Sequence, residues 1–222
     1  MKQRVLLKGK DALDLLHRIS TVNLKNAPLG LKQEGLILNP QGKILSFFKI
    51  TLQSDSDALV EFQDDFLTLV DQYTFSEKYE IESLPLLPET GISEKNRILN
   101  LSPKQGFEFE SDGSVNPLEI NLRAVVHDQK GCYPGQEVIE KIISLGSPAK
   151  RLCLLVAAPN VQLSCPQVLK NLEGAEAGTL TSFEEGVALA ILKRPYAIES
   201  KELIAVDQNQ ENAVLTVQKV SS

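Results

Sequence analysis

Beyond residue 150 the chain reads as a succession of short strands, and this run constrains the fold more than any other feature. Residues 152–157, 177–183, 187–192, 203–206 and 213–220 are rich in Val, Ile, Leu and Ala and follow one another at short intervals. Gly174, Gly178 and Gly186 punctuate them. Strands of this kind expose backbone edges unless they close on themselves. A small antiparallel barrel is therefore the expected architecture for residues 151–222.

The preceding residues mix two periods. Residues 5–7 predict a short strand. Asp11 is placed to cap a helix with Asp14 in its first turn, and Ala12, Leu15, Leu16 and Ile19 form its apolar stripe. His17, on the same helix, is expected at the surface or at the edge of that stripe. Residues 36–38 and 44–52 read as strands joined by the turn Asn39-Pro40-Gln41-Gly42, and residues 58–62 and 79–81 as two more. Phe66, Leu69, Val70 and Tyr73 mark a second helix. Asp64-Asp65 at its start is explained by the helix dipole. Two helices on one face of a mostly antiparallel sheet give an α+β fold. Residues 83–117 carry Pro85, Pro88, Pro103 and Pro117 with Gly91, Gly106 and Gly113, which break any long element. A connector with short strands at 97–101 and 107–110 is expected there. The domain division is then 1–150 for the α+β part and 151–222 for the barrel.

Chemistry concentrates in Lys130-Gly131-Cys132-Tyr133-Pro134-Gly135-Gln136-Glu137. Pro134 and Gly135 suit the two central positions of a type II turn. Residues 136–143 then read as a short helix, with Val138, Ile139, Ile142 and Ile143 at helical spacing. Cys132 would lie near the N-terminus of that helix with Lys130 two residues away, and positive potential there favours thiolate. Cys132 is accordingly the candidate functional thiol. His127 is a candidate base for it. Lys130, Lys141, Lys150 and Arg151 could steer an anionic ligand, and Gln136 and Glu137 could hold the turn or touch one. Cys153, within an apolar strand, reads as an inert core residue, and Cys165 precedes Pro166 in a loop without an evident helper.

Composition narrows the function classes. Net charge is -6, which argues against a dominant nucleic-acid or anionic-membrane surface. Three cysteines fit a reducing compartment better than a disulfide framework, and no Cys-x-x-Cys occurs among them. With two histidines far apart, no intrinsic metal is expected. No apolar run reaches membrane length and the N-terminal one is too short for a signal peptide, so a cytoplasmic location is expected. Phosphate-loop, dinucleotide, serine-hydrolase and zinc-protease motifs are absent from the sequence.

The octapeptide resembles the signature of the YgfZ-type family, folate-binding relatives of the glycine-cleavage T-protein that assist iron–sulfur enzyme maturation. The pattern there is Lys-Gly-Cys-Tyr-x-Gly-Gln-Glu, then three residues, then usually Arg. Lys141 stands at that last position, which keeps the charge but not the bidentate geometry. Three further stretches carry the resemblance: Gly9 to Leu16, the Asn39-Pro40-Gln41-Gly42-Lys43-Ile44-Leu45 hairpin, and Pro117-Leu118-Glu119-Ile120-Asn121-Leu122. The family's Thr-Asn-Asp is Thr21-Val22-Asn23 here, a departure that removes a carboxylate.

The resemblance implies an N-terminal T-protein/YgfZ-like α+β folate domain, shortened by loss of most of a second α+β half, followed by a β-barrel. It implies a maturation or repair factor for iron–sulfur proteins acting through Cys132, with Lys130, Gly131, Tyr133, Gly135, Gln136, Glu137 and Lys141 as signature support. Asn23, Asn39, Lys141 and Arg151 are the implied contacts for tetrahydrofolate or a derivative. Implied partners are iron–sulfur client or assembly proteins, with a homodimer as one way to replace the missing half. The thiol's role is open between a transient persulfide, shielding of a cluster ligand and partner contact. Two alternatives stand beside this reading: aminomethyl transfer to tetrahydrofolate, against which stands the absence of a Gly-Glu-Asp-Gly segment, and a non-catalytic binding module that has lost its ligand.

Overall fold

A computed structural model describes residues 2–88, 91–127 and 129–221. The chain forms two compact units and crosses between them more than once. The first comprises Met1–Glu89, Ser111–Ser114 and Arg123–Lys141; the second comprises Thr90–Glu110, Val115–Leu122 and Ile142–Ser222.

The first unit is built on a five-stranded antiparallel sheet. Its strands are β1 (Gln3–Lys8), β2 (Lys32–Leu38), β3 (Ile44–Leu52), β4 (Asp57–Phe62) and β5 (Glu80–Ser83), in the order β2-β3-β4-β1-β5. Helices α1 (Lys10–Ile19) and α2 (Phe66–Gln72) cover one face. Alternation in β3 and β4 sends Phe48, Ile50, Val60 and Phe62 into the same core as Leu15, Leu16 and Ile19 of α1 and Phe66 and Val70 of α2. Phe66 anchors it, with ring centroids 4.9 Å from both Phe48 and Phe62.

Two details depart from the expected N-terminal reading. Gly9, not Asp11, is the N-cap of α1; Asp11 lies within the first turn, and its carboxylate accepts the Lys78 amide at 2.9 Å. Asp64 does more than face a helix dipole. It accepts from Ser46 Oγ at 2.7 Å, Phe47 N at 3.0 Å and Ser111 Oγ at 2.7 Å, fixing the start of β3 and a distant loop segment to one carboxylate.

In the second unit, β6 (Lys150–Ala157), β7 (Gln167–Lys170), β8 (Glu176–Glu184), β9 (Val187–Lys193), β10 (Glu202–Val206) and β11 (Asn212–Val220) form a closed antiparallel barrel in the order β10-β11-β6-β9-β8-β7. The expected α+β fold with a C-terminal barrel is thus observed. β9 has no simple alternation because both its faces are covered. Ala188, Ala190 and Leu192 fill the barrel interior, while Val187 and Leu189 pack outward with Ile98 and Leu101.

The segment 97–101, expected as a strand, contributes instead to helix α3 (Glu94–Leu99). Ser93 caps it by accepting the Asn96 amide at 3.3 Å, and Glu94 occupies the first turn. The segment 107–110 is not a strand either; it makes a single bridge, Gln105 with Phe109. Its course is set by Glu108, whose side chain is fully buried. That carboxylate accepts from Arg97 Nη1 at 2.8 Å, Lys104 N at 2.9 Å, Thr181 Oγ1 at 2.9 Å and Ser182 Oγ at 2.6 Å. Arg97 also bonds Glu94, Ser182 and the Ser102 carbonyl. The ion pair is fully hydrogen-bonded, as a buried pair must be. Between β5 and residue 117, α3 is the only regular element among the described residues.

Candidate functional site

The Cys132 loop owes its shape to two glycines. Gly131 adopts φ +93° and Gly135 φ +81°, a region L residues rarely occupy. The Gln136 amide donates to the Tyr133 carbonyl at 3.2 Å, closing the expected turn around Pro134 and Gly135. Helix α4 (Gln136–Ser144) follows at once, with Glu137 in its first turn. Cys132 is a free, exposed thiol four residues before that helix.

Gly135 also brings together two sequence motifs. A Cβ there would lie 2.4 Å from the Asn39 carbonyl oxygen and 2.9 Å from the Gly42 Cα. The turn after Cys132 therefore rests on the β2–β3 turn, backbone against backbone. Asn39 builds that second turn: its Oδ1 accepts from Gln41 N at 3.0 Å and Lys43 N at 2.9 Å, and its carbonyl accepts from Gly42 N at 2.9 Å.

Lys130 behaves differently from the sequence expectation. It is 8% exposed, and its ammonium donates to the carbonyls of His17 and Ser20 at the C-terminus of α1. Its Nζ lies 5.1 Å from the centroid of buried Tyr133. Desolvation, then the nearby Lys25 charge, lowers its pKa to about 8. This ammonium is bound to a helix end.

His17 was expected at the surface or stripe edge and is instead 8% exposed. Its Nε2 lies 3.1 Å from the Lys130 carbonyl, and its Nδ1 accepts the Leu24 amide at 3.2 Å. It sits four residues after Leu13 on the buried side of α1, the one sequence signal of its burial. His127 is exposed; its Nδ1 accepts the Gln129 amide at 3.2 Å, and among the described residues no hydrogen bond joins it to Cys132.

The other candidates are dispersed. Gln136 Nε2 donates to Glu140 at 2.6 Å, while its buried Oε1 has no partner. Glu137 and Lys141 are exposed. Asn23 is buried and precedes the 3-10 turn Leu24–Asn26 without a side-chain cap bond. Lys150 and Arg151 belong to the second unit, where the Arg151 guanidinium bonds the Ser221 carbonyl and Ser147 Oγ, each at 3.3 Å. Cys153 lies in the barrel core, where burial pushes its thiol up to about 12. Cys165 is exposed as a residue, yet desolvation around its sulfur, then the Glu108 charge, raises it to about 11.

Sequence reading also missed a groove of about 480 Å³ in the first unit. Lys32, Gln33 and Glu34 of β2, Lys49 of β3, and Ala124 and Val125 line it. Lys32 pairs with Glu61 and Lys49 with Glu34, but the buried Gln33 Nε2 has no partner. Among the described residues no group of three or more His, Cys, Asp or Glu side chains is arranged to hold a metal, and no helix is long and apolar enough to cross a membrane.

No protein-family model and no curated protein sequence matches the chain. In structure it is similar to a glycine cleavage system aminomethyltransferase T from Bartonella henselae, with a TM-score of 0.80 over 98% of this chain and 83% of that one, at 13% identity. The likeness is one of fold.

Proposed function

We propose that this protein is a maturation or repair factor for iron–sulfur proteins, built on an aminomethyltransferase T-like scaffold and working through the Cys132 thiol. One observation carries the reading: an exposed thiol held between two positive-φ glycines, on a turn seated against the Asn39–Gly42 turn. A structural cysteine needs neither the exposure nor the buttress, whereas a thiol that meets a partner needs both. The octapeptide around it supports the same reading, since it follows the YgfZ-type signature. Iron–sulfur clients or assembly proteins are the proposed partners, and the reducing cytoplasm the proposed setting.

A reduced folate is the proposed small ligand, supported by the T-protein-like fold and by the donors of the groove. Gln33 offers a buried, unpaired Nε2 donor that suits a pterin carbonyl, and Lys32 and Lys49 offer cations that suit a glutamate tail once exchanged from Glu61 and Glu34. Bound there, the folate would supply an acceptor for a one-carbon unit. Aminomethyl transfer itself is the second reading, favoured by the structural neighbour.

The test is complementation of a deletion strain, with aconitase activity and methylthio-tRNA as readouts. Wild type and Cys153→Ser should restore both, and Cys132→Ala should restore neither when equally well folded. Full rescue by Cys132→Ala removes the thiol from the reading. An unaltered deletion strain removes the maturation role, and a defect confined to glycine cleavage favours aminomethyl transfer.

A further inference from the structure

The Cys132 loop and helix α1 hold each other by interlocked contacts across 113 residues of sequence. In one direction the Lys130 ammonium caps the α1 carbonyls of His17 and Ser20. In the other, the His17 ring reaches the Lys130 carbonyl. The tautomer follows from the ring's second contact. Nδ1 accepts the Leu24 amide, so the proton sits on Nε2, where it donates to the Lys130 carbonyl. A protonated ring keeps its Nε2–H donor but sets an N–H at Nδ1 against the Leu24 N–H and a second cation near the Lys130 ammonium, so it is driven from its seat between turn and loop.

Surrounding charges act in the same sense. Lys130 from the loop and Lys25 from the 3-10 turn face the ring, and Asp14, on α1 itself, opposes them. Burial, then these cations, holds His17 below the usual imidazole range. Its contribution to stability is therefore present above the unfolded value of about 6.5 and is lost as pH falls through the folded value.

We propose that His17 is a positioning residue for Cys132, acting through Lys130, and that protonation of its ring releases the Cys132 loop. The inference rests on the reading of Cys132 as the working thiol and adds its regulation: the loop is ordered near neutrality and freed by acid.

Hydrogen exchange of the full chain tests it at residues 129–134. In wild type, corrected for intrinsic exchange, this segment should lose about fivefold in protection as pH falls from neutrality through the folded His17 value, the effect of the lost Leu24–His17 hydrogen bond, over the acid range in which β3 stays protected. His17→Gln keeps a donor toward the Lys130 carbonyl but cannot titrate, so it should retain protection at neutral pH and show no acid-side loss. His17→Leu should raise loop exchange about tenfold at neutral pH, with faster Cys132 alkylation. A flat wild-type profile overturns the proposal. So does an unchanged acid-side loss in His17→Gln, which would take the titration away from His17. Wild type and His17→Gln decide the matter if His17→Leu fails to fold. The exchange readout is independent of complementation, so failure of the thiol reading and failure of the clasp are distinguishable.

Discussion

Alanine at Gly135 and alanine at Gly131 should have sharply different costs although the two glycines lie in one loop. Both occupy positive φ, +81° and +93°, so each substitution carries a left-handed penalty of about 1–2 kcal/mol. At Gly131 nothing lies within 4 Å of the added Cβ, and the penalty ends there. At Gly135 the Cβ meets the Asn39 carbonyl oxygen at 2.4 Å and the Gly42 backbone at 2.9 and 3.1 Å. Two turns must then part by about 1 Å to restore ordinary contact. That movement strains the Gly42 N–H to Asn39 C=O bond and the Gln136 N–H to Tyr133 C=O bond. Each contributes about 1 kcal/mol net, so Gly135→Ala should cost about 3–4 kcal/mol against about 1–2 for Gly131→Ala. Urea unfolding of both variants, with hydrogen exchange at residues 39–45, provides the assay. Equal destabilisation, or undisturbed protection in the Asn39–Gly42 turn of Gly135→Ala, would refute the claim that the two turns bear on each other.

Limiting iodoacetamide should label Cys132 first, because Cys153 is buried at about 12 and Cys165 is raised to about 11; peptide mapping that finds Cys153 or Cys165 labelled first would contradict this. Glu108→Gln should destabilise the second unit by about 3 kcal/mol, since it removes the fully buried anion facing Arg97 and leaves that charge only the part-exposed Glu94, and a loss below about 1 kcal/mol in denaturant unfolding would show that the network contributes little. Glu94, beside Arg97, and Glu77, beside Arg18, both titrate below the usual carboxylate range, Glu77 at about 2. Their stabilisation is therefore present above the unfolded value of about 4.3 and is lost as pH falls through the folded values; Glu94→Gln should flatten the acid limb of a stability–pH curve. Calorimetric titration with 5-formyltetrahydrofolate should show about tenfold weaker binding for Gln33→Leu, the effect of one buried hydrogen bond, and equal affinity would remove the groove from the folate reading.

Legibility in the sequence followed the range of the interactions involved. Local periodicity and turn chemistry exposed β3, the Asn39–Gly42 turn, five of the barrel strands and the turn at Pro134-Gly135. Strand β7 was hidden because Gln167–Lys170 is four residues long and offers only Val168 and Leu169 as apolar signal. The segment around Ile98 and Leu99 was read as strand because a short apolar run does not distinguish strand from helix; the Ser93 cap and the outward-packed face of β9 decide for helix. The Arg97–Glu108 pair and the His17–Lys130 contacts left no local trace. Their partners are 11 and 113 residues apart, and both are fixed by burial that only the folded chain creates.

These long-range contacts change what the Cys132 signature is. In the sequence it is an isolated octapeptide, and its lysine reads as an electrostatic helper of the thiol. In the fold it is tied at both ends: Lys130 is bound to the end of α1, and Gly135 bears on the β2–β3 turn. Cys132 stands between the two ties and makes neither contact. The residues around it thus serve to place the thiol, and the lysine does so by capping a helix, with its charge bound to the carbonyls of His17 and Ser20. A Lys130→Arg substitution tests the distinction directly. If the charge alone mattered, arginine would preserve function. If placement matters, the larger planar guanidinium cannot occupy a site 8% exposed beneath Tyr133 without displacing the loop. Lys130→Arg should therefore lose protection at residues 129–134 and fail in complementation, and full retention of both would return Lys130 to the role of a simple positive charge.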